Sequence, residues 1–103
     1  MNLGAALETK ITVKNGNLSD DIQSTIKQKV SKLPKFFDRT TGIQVLADLQ
    51  HSEPEVEIIL SAEESHDFFA SDSGGNVLTA VEGAIHKIES QLKKHKEKLK
   101  GHR

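Results

Sequence analysis

The sequence predicts an α+β domain in the order β-α-β-β-β-α: a four-stranded sheet with two helices packed on one face. Three observations carry this. Apolar and polar residues alternate along short segments, as in half-buried strands. Two longer segments repeat apolar residues at three- and four-residue intervals, as in helices. A chain of 103 residues has room for one domain around one core. Packing both helices on one side buries one sheet face and one stripe of each helix, leaving the other sheet face open.

The elements follow in order. Residues 1–6 are expected to form a flexible start. Over 7–13, Leu7, Thr9, Ile11 and Val13 share one face of a strand, with Glu8, Lys10 and Thr12 on the other. Asn15-Gly16-Asn17 breaks it. Ser19 caps the first helix, and Asp20 and Asp21 sit in its first turn, where the helix dipole favours negative charge. Ile22, Ile26, Val30 and Leu33 keep helical spacing, and Pro34 is expected to end the helix. A second strand at 43–49 turns Ile43, Val45, Ala47 and Leu49 to one side. After the loop His51-Ser52-Glu53-Pro54, a third at 55–61 turns Val56, Ile58 and Leu60 inward and Glu55 and Glu57 outward. A fourth strand fits 66–72, but the adjacent Phe68 and Phe69 leave its parity open. Ser73-Gly74-Gly75-Asn76 reads as a tight turn into the second helix. That helix carries the apolar line Val77, Val81, Ala84, Ile85, Ile88, Leu92 and Leu99, and the domain ends near 100, leaving 101–103 as a tail.

Charge is strongly segregated along this frame. Residues 83–103 hold seven of the fourteen Lys/Arg and two of the fifteen acids, a local charge of +5 that leaves −6 for the rest. Residues 40–86 contain no Lys or Arg and nine acids. A molecule with one basic end is built to attract polyanions, and nucleic acid is the first partner to consider. On a helical wheel Lys87, Lys94 and Lys98 fall in one arc away from the apolar line, with Lys93, Lys96 and Lys100 along one flank. Lys27, Lys29, Lys32, Lys35 and Arg39 crowd the end of the first helix and its exit. If both helices cover the same sheet face, these sets merge into one basic face, opposite an open sheet face carrying Asp48, Glu55 and Glu57.

Other chemistries find little support. With no cysteine, there is no disulfide, thiol nucleophile or thiolate metal site. His51, His66, His86, His95 and His102 show no i,i+4 metal spacing and are expected to be solvated. Glu63, Glu64, His66 and Asp67 come without a nucleophile or oxyanion site, so no enzyme, small-molecule substrate, metal or cofactor is expected. No apolar run reaches the roughly 20 residues of a membrane span, and 1–4 lack the pattern of a signal peptide, so a cytoplasmic protein without membrane contact is expected. Leu46 and Ile59 are expected on the open face, paired across the second and third strands. They offer an alternative function, a protein-interaction regulator acting through the acidic open sheet face.

The element order, the segment Lys32-Leu33-Pro34-Lys35-Phe36-Phe37-Asp38-Arg39, and the run Lys87-Ile88-Glu89-Ser90-Gln91-Leu92-Lys93-Lys94-His95-Lys96-Glu97-Lys98 resemble the ribosome hibernation promoting factors. That family includes the ribosome-associated translation inhibitors and was once labelled sigma-54 modulation protein. The resemblance spans about 8–100 and implies a fold similar to double-stranded-RNA-binding domains. It further implies a single ribosome-binding domain over 7–100 that binds small-subunit ribosomal RNA in the mRNA/tRNA channel and inhibits translation during stress or stationary phase. By resemblance, Lys87, Lys93, Lys94, Lys96 and Lys98 are RNA-binding, and Lys32, Lys35 and Arg39 match basic positions of the first motif. Ending at Arg103, the chain resembles the short form, without a built-in dimerisation domain.

Overall fold

In the computed structural model of the protein the described residues are 8–101, with side chains described through Lys98. The expected flexible start, Leu7, the side chains of Leu99 and Lys100, and residues 102–103 lie outside them. The elements are β1 (Glu8–Lys14), α1 (Asp20–Val30), α2 (Lys32–Phe36), β2 (Thr40–Asp48), β3 (Glu55–Ala62), β4 (Phe68–Ser73) and α3 (Val77–Gly101).

The strands lie side by side in the order β1-β2-β3-β4. β1 runs parallel to β2, and β2, β3 and β4 form an antiparallel meander. A parallel neighbour requires a crossover, which α1 and α2 provide. The register builds rungs on the covered face, with Ile11 beside Val45, Val45 beside Ile58 and Ile58 beside Ala70. These join Ile26, Val30, Leu33 and Phe37 from the first helical region and Val77, Val81, Ala84, Ile85, Ile88 and Leu92 from α3 in one core. Phe68 and Ala70 are buried and Phe69 is exposed, which settles the parity of β4.

α1 begins where Ser19 turns extended and its Oγ accepts a hydrogen bond from the Ile22 amide at 3.1 Å. It stops at Val30, earlier than Pro34. A continuous helix would drive the proline ring against the carbonyl four residues back, which is Val30, and would leave that carbonyl without a donor. The chain therefore resets at Ser31, whose hydroxyl donates to Gln28 O at 2.6 Å. Pro34 sits inside α2, in a first turn whose amides have no intrahelical acceptor to lose. The first helix of the sequence reading is thus two segments.

α3 starts with Asn76 Oδ1 accepting from the Thr79 amide at 3.0 Å. Gly83 lets this helix lie against the end of β4: a Cβ there would fall 1.8 Å from Asp72 Oδ2. No helix among the described residues is long and apolar enough to cross a membrane.

Candidate nucleic-acid interface

Among the described side chains Leu92 is the last fully buried one of α3. The helix continues from 93 to Gly101 as an overhang of roughly 13 Å at 1.5 Å per residue. Lys93, Lys94 and Lys98 are exposed on it, and Lys35 is exposed on α2. Among the described residues none of these four forms an ion pair. Lys96 instead turns back: its Nζ donates to Phe36 O at 3.1 Å and stands 5.0 Å from the Phe36 ring centroid, tying the overhang to α2.

Four other basic positions are engaged within the protein, while Lys27 of α1 is exposed and forms no ion pair among the described residues. Lys32 meets Glu89 at 3.5 Å and Arg39 meets Glu64 at 3.5 Å. Lys29 of α1 bonds Glu82 of α3. Lys87 lies beside β4 rather than opposite the apolar line; its Nζ donates to Ser71 O at 2.9 Å and lies 3.7 Å from Asp72. One turn on, Gln91 Nε2 donates to Phe69 O at 2.6 Å, so α3 covers the outer carbonyls of an edge strand that would otherwise stand open. The single basic face expected across both helices is therefore not what forms. Glu82 and Glu89 neutralise the seam between α1/α2 and α3, and apart from Lys27 the lysines of the helix layer without an ion pair among the described residues gather at the α2–α3 end.

The acids take the open sheet face, but not alone. Its rungs run Lys14–Asp48–Glu55–Ser73, Thr12–Leu46–Glu57–Ser71 and Lys10–Gln44–Ile59–Phe69. Asp48 is held below the ordinary carboxylate range, chiefly by the Asn15 amide at 3.0 Å and then by the Gln50 backbone amide at 3.0 Å. Asn15 reaches it from a left-handed turn, φ 60°, a conformation asparagine tolerates better than most residues. Lys10 and Lys14 make this face mixed rather than purely acidic. Leu46 and Ile59 are diagonal neighbours, not a direct pair, since Leu46 opposes Glu57 and Ile59 opposes Gln44. The direct apolar partner of Ile59 is Phe69, which is 53% exposed. Only the parity of β4 reveals it.

His95 departs from the expectation of free solvation: it is half-buried, and the exposed His66 packs against it. His66 and His95 lie ring to ring at 5.9 Å, and Phe68 is 4.7 Å from the first and 5.3 Å from the second. They meet at the root of the α3 overhang, among the same lysines. Among the described residues no group of three or more metal-ligating side chains converges.

Comparison with known proteins agrees with this fold. The family described as sigma 54 modulation protein / S30EA ribosomal protein matches residues 9–100. The ribosome hibernation promoting factor of Klebsiella oxytoca is 30% identical over 98 residues, covering 93% of this chain and all of that protein. The protein of the same name from Escherichia coli (strain K12) is 28% identical over 96 residues, again covering 93% of this chain and all of its own length. Among solved structures, a ribosomal subunit interface protein from Coxiella burnetii superposes with a TM-score of 0.79 at 18% identity, covering 87% of this chain and 98% of that one. The N-terminal domain of Protein Y from Thermus thermophilus gives 0.73 at 19% identity, with 84% and 94% covered.

Proposed function

The chain belongs to the sigma 54 modulation protein / S30EA ribosomal protein family, and from that premise we propose that it is a non-enzymatic, ribosome-associated regulator of translation. It docks its basic end on small-subunit ribosomal RNA in the mRNA/tRNA channel and blocks that channel under stress or in stationary phase. The observation that carries the docking face is the set Lys35, Lys93, Lys94 and Lys98, exposed together at one end and free of ion pairs among the described residues. Charges without an internal partner surrender no ion pair on meeting a phosphate. Lys96 adds a cation on the same surface while bracing the overhang on α2. Lys87, Lys32 and Arg39 would have to exchange an internal partner for RNA, which an exposed pair does at little cost.

Co-sedimentation with purified small subunits over a salt series tests this. With about five phosphates neutralised, the log–log slope of affinity against salt is roughly −4. Charge reversal at Lys94 and Lys98 (Lys94→Glu, Lys98→Glu) should weaken binding by at least about tenfold and flatten that slope. Parent-like binding by the reversed protein removes the overhang from the interface.

A second reading has one observation in its favour: the exposed Phe69 beside Ile59 on the open face. A protein partner docked there would be lost on Ile59→Asp and indifferent to the lysine reversal.

A further inference from the structure

The root of the overhang holds two imidazoles that the lysine interface leaves unused. His95 projects from α3 between Lys94 and Lys96, and His66 from the turn before β4. Their rings are 5.9 Å apart and nearly perpendicular, at 89°. Phe68 contacts both, and Phe37 lies 5.8 Å from His95. His66 is exposed and His95 half-buried. Among the described residues neither ring makes a hydrogen bond, so their nitrogens remain available to an outside group. When protonated, both nitrogens of an imidazole donate, and a phosphate oxygen is a matching acceptor.

We propose that His66 and His95 form a proton-coupled phosphate contact, taking up a proton when a phosphodiester of RNA docks at the root of the basic end. The proposal rests on the RNA-docking reading above. The charged residues flanking the pair in sequence are Lys94, Lys96, Glu97 and Lys98 on α3 and Glu63, Glu64 and Asp67 in the turn before β4, and Asp38 and Arg39 follow Phe37, which packs on His95. Arg39 is held by Glu64 at 3.5 Å.

A phosphate beside an imidazole favours its charged form, raising the proton affinity in the complex above that of the free protein. Binding then consumes a proton and tightens as pH falls through the imidazole range. For a solvent-accessible contact the gain is about three- to tenfold.

The test compares affinity for purified small subunits at about pH 6 and about pH 8 at fixed ionic strength. Calorimetry in two buffers of different ionisation heat counts the protons. His66→Gln with His95→Phe removes both imidazoles while keeping a ring against Phe37 and Phe68. The parent should bind about three- to tenfold tighter at the lower pH with net proton uptake; the double variant should lack that pH-dependent gain and the proton uptake. If circular dichroism shows the double variant unfolded, His66→Gln alone, at an exposed position, must shrink the pH dependence. The proposal is overturned if the variant keeps the parent's pH dependence, or if the parent binds with none. A parent that fails to bind small subunits at either pH in low salt instead refutes the docking reading, and this contact with it.

Discussion

A lysine's neighbours decide whether its charge is available to a partner. Lys29, Lys32 and Lys87 each meet a carboxylate, whereas Lys93, Lys94 and Lys98 meet none among the described residues. Spacing along one helix places these side chains on a face but says nothing of Glu82, Glu89 or Asp72 opposite them. The same applies to His66 and His95, which only the packing of α3 across the start of β4 brings together. The seam makes a prediction of its own. The Lys29 ammonium, bonded to Glu82, holds that carboxyl below its ordinary value of 4.5. A depressed folded value means that its contribution to stability is full above the unfolded value and lost as pH falls through the folded one. An NMR titration should place the Glu82 midpoint below 4.5, and Lys29→Met should return it toward 4.5. A midpoint unmoved by the substitution would show that the seam is not a real ion pair.

Individual elements were largely legible. Alternation located the inward residues of β2 and β3, and Ser19 with Asp20 and Asp21 marked the start of α1. Pro34 was read as a stop because a proline usually ends the helix before it. Its reach four residues back to Val30 moves the break, and the first turn of α2 absorbs its missing amide. The adjacent Phe68 and Phe69 carry equal hydrophobicity, so pattern alone could not say which faces in. In α3 the apolar line hides a boundary: the core holds the helix through Leu92, and beyond it Lys93, Lys94 and Lys98 are exposed while Lys96 turns back to Phe36. Leu92→Ala should therefore cost about 2–5 kcal/mol, whereas Lys98→Ala should stay within about 0.5 kcal/mol. Urea unfolding midpoints compare the two directly. Equal losses would mean that the overhang is packed.

For the whole molecule, composition foretold one basic end but not its shape. The order of sheet neighbours and the parallel pairing of β1 with β2 depend on a crossover that no local spacing encodes. That topology puts α1, α2 and α3 on one side, lets Glu82 and Glu89 silence the middle of the layer, and leaves the α2–α3 end positive. Asp48, Glu55 and Glu57 lie on the far side of the sheet, so the potential of the molecule orients it, basic end first, toward a phosphate surface. Because the chain has no cysteine, a single introduced one reports its own position. Ser90→Cys places a photocrosslinker on the exposed side of α3, one turn before Lys94, and Ser71→Cys places it on the open sheet face. With the protein bound to small subunits, strong crosslinking to ribosomal RNA from position 90 and little from position 71 is the expected result. RNA crosslinks from position 71 and none from position 90 would contradict docking through the basic end.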